Sequence, residues 1–180
     1  RIYRIAPPGY KFPGPPRLSR MSSRELVQAL ESPHVWWRET ALRLIYERQD
    51  TSVVPALRKT VRDGKTPQAR LLALKSLEGL QSLEVTSILT ALGDEHPGVR
   101  DNAIKLAEPR LKSAPELVGK IAGMANEDSA RIRFQVAFSL GETDDARAVA
   151  ALSHIARRDG EDQWIRTAVL SSVSNSAMLP

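Results

Sequence analysis

Five arginines recur along the chain at intervals of 30 to 33 residues: Arg38, Arg70, Arg100, Arg133 and Arg166. A guanidinium carries five N–H donors in a fixed fork, which matches carboxylates and backbone carbonyls. Each arginine stands at the expected start of a helix, where it could bond loop carbonyls or acids of the preceding turn such as Asp94 and Asp128. Because repeat units share structural positions, we interpret the five as structural anchors rather than as a binding site.

A second set of positions lies five residues after each anchor and holds Arg43, Lys75, Lys105, Phe138 and Ser171. On a helix this angle is opposite the apolar residues, so these side chains should stand in solvent. With adjacent helices ~10 Å apart, the three bases form a ladder ~20 Å long that could meet an acidic partner or phosphates. The plainer interpretation is a solvated face balanced by Glu39, Glu47 and Asp101.

Two adjacent tryptophans, Trp36 and Trp37, point about 100° apart on a helix and cannot both enter one core site. Trp37 takes the position that Ala69 and Val99 hold in later units, so we expect it in the core. Trp36 lies at a more open position, where it could pack on neighbouring segments or anchor a partner. The candidate interaction surface therefore comprises Trp36, Arg43, Lys75, Lys105 and Phe138.

The sequence offers no constellation for catalysis. It has no cysteine, which excludes disulfides, thiolate metal sites and cysteine nucleophiles within these residues. His34, His96 and His154 lie in no HExxH or other close ligand cluster, and helix capping is expected of the first two. Gly-rich phosphate loops and serine-elbow motifs are also absent. We predict no catalytic, cofactor-binding or metal-binding residue and no enzyme activity in this chain.

Helices must position these side chains. Three, four and seven residues after each anchor the chain is apolar, as at Ala41, Leu42 and Ile45, and these positions form one stripe of a helix. Typical helix-start residues stand four positions before the anchors: His34, Thr66, His96, Ser129 and Asp162. An amphipathic segment precedes each anchored helix, and the first opens with a capping-box pattern at residues 22–25.

Together these patterns predict ten helices of about ten to sixteen residues, joined by loops of about two to five. They pair as hairpins over about 22–49, 51–80, 83–111, 114–141 and 145–174. The element Pro-x-Val-Arg-x-x-Ala at residues 97–103 resembles HEAT repeats, whereas the tetratricopeptide signature does not recur. The resemblance implies an all-α, armadillo-like α-solenoid of about five HEAT-like hairpins over residues 18–180. In such arrays the second helices line the concave side.

Residues 1–17 have a different character. The alternation at residues 2–5 fits a short strand, and five prolines between residues 7 and 16 favour an extended linker. The net charge of +5 is also located here, because the first 20 residues hold five bases and no acid, which leaves 21 bases and 21 acids in residues 21–180. The helical body is therefore neutral overall.

Four segments together resemble one family of exported proteins of planctomycete-type bacteria: RIYRI at 1–5, PHVWWRETA at 33–41, ARLLAL at 69–74 and LEGL at 77–80. In that family, classed as membrane-bound dehydrogenases, a sugar-dehydrogenase-like β-propeller precedes HEAT repeats and a c-type cytochrome module. The resemblance implies that residues 1–5 close a propeller and that this chain is a periplasmic or exported fragment. No Cys-x-x-Cys-His is present, so any haem module lies elsewhere.

We therefore expect a non-catalytic scaffold that binds another protein or holds flanking domains of its own chain, without a membrane span. The alternative is a nucleic-acid-binding HEAT-like protein resembling the DNA-alkylation-repair glycosylases. The net charge of zero over residues 21–180 weighs against this alternative, because phosphate binding needs a local excess of Lys and Arg. Without a polar final helix, the apolar stripe of the fifth pair should be exposed unless further repeats follow or the pair frays.

Overall fold

The structure, a computed structural model, describes residues 5–11 and 17–173. These residues form ten α-helices and contain no β-strand. The helices are α1 Ser23–Ala29, α2 Val35–Arg48, α3 Val54–Asp63, α4 Pro67–Gly79, α5 Val85–Leu92, α6 Pro97–Ala107, α7 Pro115–Gly123, α8 Ala130–Ser139, α9 Ala146–Asp159 and α10 Gln163–Val173.

The helices pair in chain order, and the pairs stack on one another. Helix α1 packs on α2, α3 on α4, α5 on α6 and α9 on α10, while α7 and α8 both pack on the 3-10 turn Met124–Asn126 between them. The second helices α2, α4, α6, α8 and α10 contact one another in sequence, and the first helices form the other layer. This two-layered solenoid confirms the predicted all-α fold.

The second helices begin where the sequence predicts. Thr66, Ser129 and Asp162 each accept a hydrogen bond from the N–H three residues further on, which satisfies a donor that the first helical turn leaves free. At the start of α1, Ser22 and Glu25 form the predicted capping box. Local hydrogen bonds therefore fix the helix starts independently of the core.

Helix lengths and loop lengths depart from the prediction. Helices α1, α5 and α7 have only 7, 8 and 9 residues. The loop after α6 covers residues 108–114 and contains the 3-10 turn Glu108–Arg110. Pro109 has no N–H and its ring clashes with a helical carbonyl, so the α-helix ends at Ala107. At α7 the apolar period continues into the 3-10 turn Met124–Asn126, so it overestimates the length of that helix, whereas α1 and α5 are followed by no 3-10 turn.

The core is continuous from pair to pair. Four residues after the anchor, Leu74, Ile104 and Ala137 have no exposed surface in the second, third and fourth pairs. The equivalent Leu170 of the fifth pair is 63% exposed. Since the sequence position is the same, the difference comes from the neighbouring pair that covers each of the first three residues.

The first pair is covered on its outer side by the segment before it. Leu18, in the 3-10 turn Leu18–Arg20, is buried, and this turn packs on α2. Arg48 donates from Nη1 to the carbonyl oxygen of Met21 at 2.6 Å and from Nη2 to that of Ser19 at 3.0 Å. The chain thus closes this side of the array with its own backbone.

The predicted N-terminal strand falls on residues 1–4, which lie outside the described residues, as do residues 12–16 of the linker. Between them, residues 5–11 form neither helix nor strand and are exposed. The N–H of Tyr10 donates to the carbonyl oxygen of Pro7 at 3.1 Å, and Gly9 has a φ of 83°. Glycine suits this turn because positive φ costs it little.

We expect Leu74→Ala to lower the free energy of unfolding by about 2–5 kcal/mol, because it opens a cavity between the second and third pairs. Leu170→Ala is the matched control at the same repeat position, and its exposed side chain should change stability by no more than about 0.5 kcal/mol. Urea unfolding followed by circular dichroism measures both. An equal loss of unfolding free energy in the two variants would contradict the stacked core.

Candidate functional site

The anchor arginines bond the turns between paired helices. In every pair the guanidinium Nη1 donates to the backbone carbonyl oxygen six residues earlier, at 2.6 to 3.1 Å. The acceptors are Ser32, Gly64, Asp94, Glu127 and Gly160 for Arg38, Arg70, Arg100, Arg133 and Arg166. Each arginine thereby ties the second helix of its pair to the turn that precedes it.

Three anchors also bind a carboxylate of the following pair. Arg70 donates to both oxygens of Asp94 at 2.6 and 2.8 Å, and Arg133 does the same to Asp159 at 2.7 and 2.6 Å. Arg100 makes a single such bond, to Glu127 at 2.8 Å. Bidentate, buried pairs of this kind combine charge with fixed geometry. The arginines therefore connect neighbouring pairs as well as closing their own turns.

The predicted acidic partners need a correction. The Asp94 carboxylate, expected to serve the anchor that follows it, binds Arg70 of the preceding pair, while Arg100 takes the Asp94 carbonyl. The other expected acid, Asp128, offers Arg133 only its backbone carbonyl, at 2.8 Å. The guanidinium lies between two successive turns, so it meets a carbonyl on one side and a carboxylate on the other.

This crosslink was not predicted, although the sequence contains a signal for it. An acid stands six or seven residues before every anchor: Glu31, Asp63, Asp94, Glu127 and Asp159. The separation between each arginine and the acid it binds, 24 to 27 residues, is shorter than the repeat. The pattern within a single repeat does not reveal an interaction that joins two repeats.

Opposing effects act on the carboxylates of the two bidentate pairs. Burial raises the pKa of Asp94, but hydrogen bonds from Arg70 and from the N–H of His96 outweigh it and hold the pKa below its ordinary value. Hydrogen bonds from Arg133 lower the pKa of Asp159 against a smaller effect of burial. Both acids therefore stay ionised down to lower pH than in the unfolded chain.

The predicted ladder lies on the exposed side of the second helices. Arg43, Lys75, Lys105, Phe138 and Ser171 are all exposed. Two of the bases have partners on their own helix, since Arg43 lies 3.5 Å from Glu47 and Lys105 lies 2.9 Å from Asp101. The ladder thus carries less free charge than its residue types suggest.

Trp36 is 60% exposed and lies on the same side of α2 as Arg43, seven residues away. Trp37 is partly buried against the core. Four positions lie on this side of each second helix: two residues before the anchor arginine, and one, five and eight residues after it. Their spacing of i, i+3, i+7 and i+10 places them on one face, which we call the outer stripe. In α2 the outer stripe contains Trp36, Glu39, Arg43 and Tyr46. In the fourth pair it contains Arg131, Phe134 and Phe138 of α8 and Gly141 of the 3-10 turn that follows.

A carboxylate on this stripe is nevertheless buried. Asp101 in α6 is only 1% exposed because Lys105 covers it from the same helix and Arg131 reaches it from α8, at 2.9 and 3.0 Å. Two cations thus share one acid between the third and fourth pairs. Asp101 was predicted to balance the bases of the ladder, but the sequence contains no signal for the contribution of Arg131.

The histidines take different roles. His96 Nδ1 accepts a hydrogen bond from the N–H of Gly98 at 3.1 Å and so caps α6. His34 precedes α2 without a side-chain capping bond, and its ring lies 5.7 Å from that of Trp37. His154 lies within α9. Among residues 5–11 and 17–173, no three His, Cys, Asp or Glu side chains could together hold a metal ion.

We expect Arg133→Met to cost about 3 kcal/mol, at the lower end of the range for a broken buried pair, because the Asp159 carboxylate is left without its guanidinium. Arg62→Met is the control, since its contact with Asp63 is exposed and should add little. Denaturant midpoints compare the two variants. A similar change in both would contradict the crosslink.

The free energy of unfolding should also depend on pH. Since the native pKa values of Asp94 and Asp159 are lowered, these groups contribute stability above the unfolded-state pKa of about 4 and lose it as the pH falls through the native value. We expect the free energy of unfolding in urea to fall as the pH drops below about 4, and to fall less steeply in the double variant Asp94→Asn/Asp159→Asn. Parallel curves would refute this assignment.

Comparison with known proteins places this geometry in a family. The model for HEAT repeats matches residues 23–105 and again residues 85–174. A search of curated proteins gives no match. HEAT repeats commonly mediate protein interactions, and modules built from them are generally non-catalytic. In the part of the chain that the structure describes, no helix is long and apolar enough to cross a membrane. The two matches together extend over residues 23–174, and the chain belongs to the HEAT-repeat family.

Proposed function

We propose that this chain is a non-catalytic scaffold whose outer stripe binds another protein. The observation that carries the proposal is the exposure of large aromatic side chains along that stripe. Trp36 is 60% exposed, Tyr46 59%, Phe138 53% and Trp164 71%. These residues share one face of the array and lie in the first, fourth and fifth pairs. Tryptophan and tyrosine are enriched at binding hot spots, and large exposed apolar side chains indicate an interaction site.

The fold leaves the aromatic residues of this stripe exposed. The anchors Arg70, Arg100 and Arg133 are engaged with turns and acids, and the apolar stripes of the first four pairs are covered by neighbouring pairs. Other residues of the outer stripe take part in the fold, since Asp101 is buried and binds Arg131 of the next pair. A partner could therefore contact the exposed aromatic side chains without displacing the core.

The charge distribution favours a protein over a nucleic acid. Glu47 contacts Arg43, and Asp101 is shared by Lys105 and Arg131. In the described part of the chain only Lys75 of the predicted ladder lacks an ion pair. Phosphate binding depends on several uncompensated cations, so one free lysine gives it little support. We keep a DNA-binding function like that of the alkylation-repair glycosylases as the second candidate.

The wider context is a further part of the proposal. The resemblance of residues 1–5 and of segments up to residue 80 to planctomycete-type exported dehydrogenases supports a larger, periplasmic or exported redox protein as the parent. In that parent the array would hold flanking domains apart. A β-propeller encoded before this segment and a Cys-x-x-Cys-His motif encoded after it would support this context, and their absence from the gene would refute it.

The test compares Trp36→Ala/Phe138→Ala with Tyr10→Ala, whose ring is equally exposed at 52% but lies outside the stripe. Proteins captured from extracts of the source organism by the wild type are purified and titrated by calorimetry against all three chains. We expect the double variant to weaken binding by ~10-fold or more, because hot-spot aromatics contribute most of such affinities. Equal affinity of all three chains would refute the proposal.

The DNA alternative is tested on the same chains. Fluorescence anisotropy with single- and double-stranded DNA is measured from about 50 to 200 mM salt, where phosphate contacts change affinity steeply. Binding that is lost in Arg43→Ala/Lys75→Ala/Lys105→Ala would favour the alternative. No binding at the lowest salt would eliminate it.

A further inference from the structure

The middle of the outer stripe carries exposed cations above a buried acid. Lys105 and Arg131 both donate to Oδ2 of Asp101, at 2.9 and 3.0 Å. The Asp101 side chain is 2% exposed, whereas those of Lys105 and Arg131 are 46% and 75% exposed. Lys75, on the neighbouring helix α4, is exposed and has no ion pair in the described residues. We call Lys75, Lys105 and Arg131 the cationic centre.

The other acids of the stripe in the second and third pairs are engaged within the fold. Glu78 accepts a hydrogen bond from Arg110 at 2.8 Å. Glu108 accepts from the hydroxyl of Ser139 at 2.6 Å and from the amide of Gln135 at 3.1 Å. Both acids are partly buried. The charge accessible over the cationic centre is therefore positive.

Exposed aromatic residues lie on both sides of the cationic centre. Phe138 of α8 is 53% exposed and takes the ladder position that Lys75 and Lys105 hold in α4 and α6. On the other side, Tyr46 of α2 is 59% exposed. From α2 to α8 the stripe thus presents an aromatic residue, two cations and an aromatic residue.

We propose that the outer stripe binds a segment of another protein that has two acidic side chains about 10 Å apart, with an apolar side chain on either side of them. The carboxylates bind the cationic centre, and the apolar side chains contact Tyr46 and Phe138. This inference rests on the proposed function, because it specifies the chemistry of a partner for the surface assigned there.

The spacing of the second helices favours one conformation of such a segment. Packed helices lie ~10 Å apart, and three residues of a polyproline II helix advance ~9 Å and return to the same face. A β-strand places side chains of one face ~7 or ~13 Å apart, which matches less well. Acids three residues apart in a polyproline II segment therefore lie over α4 and α6.

The ends of this sequence lack the required acids. Residues 1–20 and 174–180 contain no Asp or Glu. A second copy would offer Glu161 and Asp162 beside the exposed Trp164, but the Asp162 carboxylate already accepts the N–H groups of Trp164 and Ile165. We therefore assign the stripe to an acidic segment of a different protein, and self-association becomes an outcome of the test.

The probe is a fluorescein-labelled peptide of the sequence Leu-Pro-Pro-Glu-Pro-Pro-Glu-Pro-Pro-Leu, whose prolines hold it in the polyproline II conformation. Two matched peptides have Gln or Lys in place of both Glu residues. Fluorescence anisotropy at about 50 mM salt measures the affinity of each peptide for the full chain and for the variants Lys75→Glu and Phe138→Ala. Lys120→Glu is the control, since it makes the same charge change at an exposed lysine of α7, outside the stripe.

We expect the Glu peptide to bind ~5-fold or more tightly than the Gln and Lys peptides. Lys75→Glu should weaken the Glu peptide by ~5-fold or more and strengthen the Lys peptide, because it reverses one charge at the interface. Phe138→Ala should weaken the Glu and Gln peptides by a similar factor, and Lys120→Glu should change every affinity by less than ~2-fold.

Four results would overturn the inference. They are a Glu peptide that binds no more tightly than the Gln peptide, equal effects of Lys75→Glu and Lys120→Glu, a dimer in sedimentation velocity that Lys75→Glu dissociates, and tighter binding of a single-stranded oligonucleotide than of the Glu peptide. The proposed function fails separately, when Trp36→Ala/Phe138→Ala binds the captured protein as tightly as the wild type does. A Glu peptide that does not bind, beside a captured protein that needs both aromatic residues, refutes the acidic segment alone.

Discussion

No helix pair in this protein can bury its apolar stripe without the pair beside it. A single hairpin has a core on one side only, so the stacking of pairs provides most of the burial that opposes the loss of chain entropy. The contrast between Leu74, which is fully buried, and Leu170, which is not, shows this dependence at one repeat position. Whether a helix pair has a neighbour therefore determines both its stability and whether its apolar residues are exposed.

The arginine crosslinks follow from the same geometry. Stacking brings the turn of one pair beside the second helix of the previous pair, so a single guanidinium can bond a carbonyl in its own turn and a carboxylate in the next. Arg133 does so with Glu127 and Asp159. Because Arg70, Arg100 and Arg133 are used within the fold, three of the five most regular charged residues of the sequence are little available to a ligand.

The sequence predicts what is local and periodic. Helix starts such as Ser129 and the capping box at Ser22 depend on neighbouring residues, and the apolar stripe follows from the helical period, so all of these could be found in advance. Contacts between repeats could not be predicted in this way. The binding of Asp94 by Arg70 and the burial of Asp101 under Arg131 require the spacing and rotation of adjacent pairs, which a linear pattern does not contain. The predicted helix length was wrong at α7, which the 3-10 turn Met124–Asn126 follows, and at α1 and α5, which end without such a turn.

The covered first pair has a kinetic consequence. In a linear array, opening proceeds most easily from a unit that has a neighbour on one side only. Leu18 and both Arg48 bonds hold the first pair on its outer side. Local opening of α1 and α2 should therefore be rarer than that of a helix pair without such a cover, which protects this side of the array from remodelling and cleavage.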